Sequence, residues 1–369
     1  MKRILCVHQG TEKYGSDKSF VAAVAAISKA GDLSPKVLLP GHGPIFDLLK
    51  DASLTSVDTR YLWVLRKAGF LRAITLGMPR NLRCVARAMH DMSKYEVTYV
   101  NTAVIIDFLI ASILSRRKIT VHVREIPVGF AMKVIRTLLV ASSARVIFNS
   151  LATRDAFDLP AKVSHTVIYN GFTVPAVFTK SPYDGARKLR LLCIGRLNGW
   201  KGQEVLVDAC AQLAPEARAR LSVRIVGSVY KDQVHFRDTL LSKIKTLGLG
   251  GVIEVLDFTD HPEAEYTHAD IVVVPSTLPE PFGRVAIEGM AYGCAVIASN
   301  NGGLTEIVRE NETGFLVTPG DAVSLAAAMN IYFQNPALAA KHGEAGRVRF
   351  AKCFTQEASD AALLAAIKQ

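Results

Sequence analysis

The sequence predicts an α/β protein of two domains, each a buried parallel sheet with helices on both faces. Three observations carry that reading. The chain has 369 residues, about 2.5 times a typical domain of roughly 150. Two segments, residues 4–27 and 189–213, each pass from an apolar strand through a Gly-containing loop into a helix-like stretch. Around them, short apolar runs alternate with stretches of helical periodicity, as buried parallel strands joined by crossover helices do.

The first strand lies in ILCV, and the loop after it opens a helix through SFVAAVAAI. VTYVN, ITVHV, RVIFNS and TVIYN follow as strands in the first half. LRLLCIG opens the second half, and LSVRIVG, VIEVL, DIVVVPS and CAVIAS follow it. Each is short and mostly apolar. Residues 170–190 bring Gly, Pro and charge without periodicity, which marks a boundary. The expected domains are therefore 1–172 and 173–353, with a C-terminal helix at 354–369 able to pack back on the first. Residues 97–115 carry only Asp107 as a charge and run into Arg116, Arg117 and Lys118, which meets the length rule for a membrane-spanning helix. VTYVN reads instead as a strand before a buried helix, and a strand plus a turn cannot be part of a spanning helix. No repeat of solenoid period occurs.

Half of the residues are hydrophobic and 21% are charged, which supports large cores and argues against disorder. Cys6, Cys84, Cys193, Cys210, Cys294 and Cys353 show no C-x-x-C or zinc spacing, and fit a reducing cytoplasm. The N-terminus passes from two basic residues into a β-like segment without the apolar core of a signal peptide. The net charge of +11 is unevenly placed. Residues 1–175 carry 24 Lys+Arg and 12 Asp+Glu, giving +12, and the remainder carries 20 and 21, giving −1. Such a positive half attracts phosphates of nucleic acid, of lipid headgroups or of a diphosphate-linked substrate. Within residues 60–94, Arg60, Arg66, Lys67, Arg72, Arg80, Arg83, Arg87 and Lys94 face one acid, Asp91, with leucines, Trp63 and Phe70 interleaved. This stretch reads equally as an amphipathic surface for anionic lipid and as a solvated helix face. No nucleic-acid-binding motif accompanies it.

The most specific segment is PSTLPEPFGRVAIEGMAYGCAVIASNNGGLTEIV, residues 275–308. Glu280 falls in a Pro-rich loop after the strand IVVVP, and Glu288 follows eight positions on, in the helix that begins near Phe282. Open α/β sheets bind ligands at the carboxyl ends of their strands. Amides around Phe282 and Gly283, at a helix N-terminus, can face an anion or sugar hydroxyls, and a carboxylate accepts from pairs of vicinal hydroxyls. The second segment, CIGRLNGWKGQEVLVDA, sets Arg196 and Lys201 in a loop with Gly195, Gly199 and Gly202, before a helix that starts at Gln203 or Glu204. Two cations there suit a diphosphate, whose charge grows as its bond to a sugar breaks.

Together these segments resemble the family-4 retaining glycosyltransferases of the bacterial surface-polysaccharide type. The match consists of the strand-Gly-Arg-x(4)-Lys-Gly run at Gly195 to Gly202, Glu-x(7)-Glu at Glu280 and Glu288 around Phe282 and Gly283, and Gly302, Gly303 and Glu306 in NNGGLTEIV. RVIFNS at 145–150 and VIYNG at 167–171 support it. It is specific over the C-terminal half and weaker over the N-terminal half. The resemblance implies the GT-B fold, two Rossmann-like domains with parallel sheets facing across a cleft, the acceptor on the basic N-terminal domain and the donor on the C-terminal one. It implies that Arg196 and Lys201 hold the donor diphosphate, that Glu280 binds donor-sugar hydroxyls and Glu288 the ribose, and that Gly195, Phe282, Gly283 and Arg284 line the donor site. Lys13-Tyr14-Gly15-Ser16-Asp17 stands where the family has a Gly-Gly-Ala-Glu-like turn. With Tyr14 in place of a glycine and Asp17 as the acid, Gly15 and Ser16 are left to approach the diphosphate. The family's histidine near the donor sugar maps to TVHVREIP, where His122 and Arg124 share one strand face and Glu125 takes the other. We assign His122, with Arg124 as the alternative.

No Asp-x-Asp occurs, so the implied chemistry uses no metal or other cofactor. The expected reaction moves a hexose, with retention, from a UDP- or GDP-sugar to a glycan or polyprenyl-diphosphate-linked acceptor in lipopolysaccharide, capsule or exopolysaccharide synthesis. The expected place is the cytoplasmic face of the inner membrane, on an anionic surface, with no nucleic-acid partner. A GT-B nucleotide-sugar epimerase, which needs no acceptor, is the alternative, and a nucleic-acid-binding protein is a third reading.

Overall fold

We describe the protein from a computed structural model, over residues 1–65, 77–174, 179–229 and 233–368. Arg66, Lys67, Phe70 and Arg72 of the basic stretch lie outside the described residues. The chain divides into two compact units, Met1–Gly171 with Gln356–Gln369, and Phe172–Thr355.

The first unit is built on β1 (Lys2–Val7), β2 (Leu33–Leu39), β3 (Val57–Thr59), β4 (Val97–Val100), β5 (Ile119–Val123), β6 (Ala144–Phe148) and β7 (His165–Val167). They form one parallel sheet in the order β3-β2-β1-β4-β5-β6-β7. Alternate residues of each strand enter opposite cores. Leu5, Val100, Val121 and Phe148 pack with Val85, Phe108, Leu109, Ile135 and Leu139 from the helices Met78–Lys94, Ile106–Ser115 and Phe130–Ala141. Ile4, Cys6, Tyr99 and Ile147 pack on the other side with Phe20, Val24 and Ile27 of the helix Gly15–Lys29, and with Leu363, Ala366 and Ile367 of the helix Gln356–Lys368. That last helix is also tied to the unit by Arg145 Nη1, which donates to the Ala366 carbonyl at 2.7 Å.

Residues 97–115 form β4 and then the ten-residue helix Ile106–Ser115. Among the described residues no helix is long and apolar enough to cross a membrane. The strands β2, β3 and β13 (Gly314–Val317) were not picked out by apolar runs. β2 holds Pro35, which lacks a donor, and it sits where β3 does not reach, because β3 pairs only with Val37, Leu38 and Leu39. There β2 is locally an edge, where proline is tolerated.

The second unit repeats the plan with β8 (Leu189–Ile194), β9 (Leu221–Val226), β10 (Ile253–Leu256), β11 (Ile271–Val274), β12 (Ala295–Ser299) and β13, in the order β10-β9-β8-β11-β12-β13. Its core gathers Leu191, Cys193, Val223, Ile225, Val273 and Ile297 with Leu206, Leu325 and Met329 from the helices. Strand order reverses between β1 and β4 in one unit and between β8 and β11 in the other. Those are the crevices where such sheets take ligands.

Candidate active site

In the second unit both chemistry-bearing loops leave the strands that flank the switch point. After β8, Gly195 and Arg196 lead into a turn in which Asn198 Oδ1 accepts from the amides of Trp200 at 3.2 Å and Lys201 at 3.0 Å. Gln203 Nε2 donates to the Arg196 carbonyl at 3.0 Å. Gly202 has φ +73°, and a Cβ there would fall 1.9 Å from the Pro275 carbonyl oxygen. Only glycine lets this loop lie against the end of β11. The contact is completed by the Thr277 amide, which donates to the Trp200 carbonyl at 2.8 Å.

This juxtaposition brings Lys201 Nζ to 2.5 Å from Glu280 Oε1. Ser276 Oγ donates to the same oxygen at 2.7 Å, and the ammonium lies 4.4 Å from the Trp200 ring centroid. Glu280 Oε2 makes no hydrogen bond among the described residues, so both recorded contacts of this buried carboxylate fall on one oxygen. The loop's backbone is held from behind. The Gly303 amide donates to the Glu280 carbonyl at 2.8 Å. Gly302 has φ +55°, and a Cβ on it would sit 2.3 Å from that carbonyl oxygen. The Gly302-Gly303 pair is thus a close-fitting backbone rest for Glu280.

Glu288 lies on the helix Arg284–Ala291, whose N-cap is Gly283. Tyr266 OH donates to its Oε2 at 2.7 Å, and Arg284 Nη2 to its Oε1 at 3.1 Å. Phe282 is buried, with its ring edge-on to Phe354 at 6.1 Å. Sequence reading expected Glu280 and Glu288 on one ligand. Within the protein the first is partnered by Lys201 and Ser276 and the second by Arg284 and Tyr266, an arrangement compatible with one ligand meeting both. Arg284, placed in the donor site by resemblance, makes this bond to Glu288 from one turn earlier in the same helix.

In the first unit Gly15 and Ser16 are exposed at the start of the helix Gly15–Lys29. Asp17 turns inward: its Oδ2 accepts from the Tyr14 amide at 3.1 Å, and its Oδ1 lies 3.0 Å from His8 Nε2. His122, on β5, is 3% exposed. Its Nδ1 lies 2.9 Å from Tyr99 OH and 3.2 Å from Arg124 Nη2. Burial, and secondarily the Arg124 charge, hold its pKa well below the usual histidine range, so the ring is neutral at physiological pH. Arg124 is half-buried, one residue past the end of β5. Glu125 accepts from Thr102 Oγ1 at 2.6 Å and from the Ala103 amide at 2.8 Å. Burial raises its pKa.

Sequence reading missed Ser276, Tyr266, His8, Asn101 and Asn170. Ser276 and the two asparagines each stand at or just past the end of an apolar run, in VVVPS, VTYVN and TVIYN, and that position was the available signal. Tyr266 sits in a short helix without an apolar pattern and gave none.

Residues 183–349 match the family model for glycosyl transferases, group 1. The chain is 32% identical over 202 residues to the lipopolysaccharide core biosynthesis mannosyltransferase LpcC of Rhizobium leguminosarum bv. viciae, an alignment covering 53% of this chain and 56% of that protein. It is 28% identical over 345 residues to a D-inositol 3-phosphate glycosyltransferase of Streptomyces scabiei, covering 88% of this chain and 67% of that one. The chain thus spans little more than half the length of the first of these relatives. The crystal structure of Anabaena HepE in complex with UDP-glucose matches with a TM-score of 0.82 at 25% identity, over 100% of both chains. The protein has the GT-B fold, and its second unit carries the match to group 1 glycosyl transferases. None of these comparisons supports the epimerase alternative.

Proposed function

We propose that the protein is a retaining, metal-independent glycosyltransferase that moves a hexose from a nucleotide-diphospho-sugar to a glycan acceptor, carried on lipid, in the synthesis of lipopolysaccharide or a related surface polysaccharide. The observation that carries this reading is the contact between Lys201 and Glu280 at the carboxyl end of β11. A cation suited to a departing diphosphate touches a carboxylate suited to sugar hydroxyls, so the two ends of one small ligand are met within one side-chain contact. Arg196, Gly195 and Phe282 complete the diphosphate and loop surface, Glu288 takes the ribose, and neither glutamate forms a covalent intermediate. In the first unit, the half-buried Arg124 is the group that approaches the donor with Gly15 and Ser16, and the buried His122 stands behind it.

For the acceptor side, the exposed face of the helix Met78–Lys94 presents Arg83, Arg87, Lys94 and Leu82, the last 60% exposed. Its acid Asp91 is turned to Arg60 at 3.1 Å. Positive charge with an apolar side chain among it supports contact with an anionic lipid surface.

A panel of UDP-, GDP-, ADP- and TDP-hexoses, with a lipid-linked glycan as acceptor, tests the reading. One donor is expected to give an acceptor-dependent product whose anomeric configuration is that of the donor. Inversion, or sugar conversion without any acceptor, would refute it. Co-sedimentation with vesicles is expected to rise with anionic lipid content, and indifference to that content removes the membrane part.

A further inference from the structure

Arg124 is held by more of the first unit than its place in the sequence suggests. Its Nε donates to Asn101 Oδ1 at 2.6 Å, its Nη1 to Asn170 Oδ1, and its Nη2 faces His122 Nδ1 at 3.2 Å. A guanidinium has five N–H donors and no acceptor, so three are committed within the unit and two remain. Because Nε can only donate, the Asn101 amide must turn its oxygen toward Arg124 and its NH2 toward His8 Nδ1, 3.0 Å away. His8 Nδ1 then accepts, and its proton resides on Nε2, which donates to Asp17 Oδ1 at 3.0 Å. The Asn101 carbonyl lies farther from Nδ1, at 3.4 Å. Arg124 Nη2, which can only donate, makes His122 Nδ1 its acceptor, while Tyr99 OH, 2.9 Å from that nitrogen, gives its one proton to Asn101 Oδ1 at 3.0 Å.

We propose that Asn101 is the positioning residue of Arg124: its single amide orients the guanidinium at the end of β5 and couples it, through His8 and Asp17, to the turn that opens the helix Gly15–Lys29. Arg124 and the exposed Gly15-Ser16 amides then act as one preset surface, with two guanidinium N–H groups left for the oxygens of a phosphate or sugar. This rests on Arg124 meeting the donor, as proposed above.

The test uses the full chain. In arginine Nε–H and histidine ring 15N spectra, the Arg124 Nε–H, assigned by its loss in Arg124→Lys, is expected to be protected from exchange, and His8 and His122 to be Nε2–H tautomers. Asn101→Leu should lose the protection. Asn101→Asp, which keeps the acceptor but not the NH2, should retain it while altering His8. Protection unchanged in Asn101→Leu, or a His8 proton on Nδ1 in the wild type, overturns the proposal. With the donor that the panel identifies, Asn101→Leu should lower kcat/KM about tenfold alone and not at all when added to Arg124→Ala. Additive losses would mean that Asn101 does not act through Arg124. If no donor is turned over, the transferase reading fails, and the spectra still decide the positioning.

Discussion

Lys201 Nζ and Glu280 Oε1 lie 2.5 Å apart, although 79 residues separate them in the chain. The lysine is the open member, with 24% of its side chain exposed against 6% for the glutamate. A diphosphate arriving at this loop therefore competes with Glu280 for the ammonium. Glu280→Ala is expected to lower kcat/KM about a hundredfold or more while leaving the affinity for the free nucleoside diphosphate within about threefold, or tightening it. Lys201→Ala should weaken that affinity roughly 10- to 100-fold. Calorimetric titration with the nucleoside diphosphate, beside steady-state turnover, separates the two. Near-normal turnover of Glu280→Ala would remove it from the site.

The Gly302 rest makes a sharper prediction, because it touches no ligand in our reading. Gly302→Ala must move the Glu280 backbone or strain its own, at about 1–3 kcal/mol, and should cost most of the activity in a folded protein. Gly320→Ala is the control. It has a similar φ of +76°, yet its nearest neighbour, Thr277 Cγ2, is 4.0 Å from the added carbon, so it should lose stability and keep its turnover. Equal turnover of both variants would show that the rest does not set Glu280.

Asp107 predicts a pH dependence of stability. It is fully buried beside Arg60, and burial pushes its pKa up to about 6 despite that neighbour. The folded state therefore binds this proton more tightly than the unfolded chain, whose carboxyl titrates near 3.8. The contribution is fully present below about pH 4 and is lost as pH rises through 6, on the order of 3 kcal/mol in all. Asp107→Asn should flatten this slope, and melting curves from pH 4 to 7 would show it. Parallel curves for variant and wild type would contradict the assignment.

Five of the six cysteines are buried. Desolvation pushes the thiols of Cys193 and Cys210 up to about 12 and raises those of Cys6, Cys84 and Cys294. Native alkylation should label only Cys353 in its first phase, since the thiolate is the reacting form. Peptide mass mapping that finds Cys294 labelled at a similar rate would show that its surroundings open.

Apolar runs made most strands of both sheets legible, because a strand buried on both faces writes its position in every residue. β3 escaped with three residues, and β2 because Pro35 reads as a break until the short reach of β3 is known. In the site, the Lys201 and Glu280 loops were legible because glycine, cation and carboxylate recur at fixed offsets after strands. The partners of Glu288 were not, since the Tyr266 hydroxyl reaches it only through tertiary packing. His122 and Arg124 share a strand face by alternation. Which of them is covered depends on Tyr99 and Asn101 from the neighbouring strand, and one segment cannot reveal that.

The helix Gln356–Lys368 seals a core whose other walls are Ile4, Phe20 and Ile27. During synthesis that sheet must wait, with part of one apolar face uncovered, until residues 356–368 have left the ribosome. A nascent chain emerged only as far as Thr355 would therefore carry every element of the second unit and a first unit still lacking its last helix.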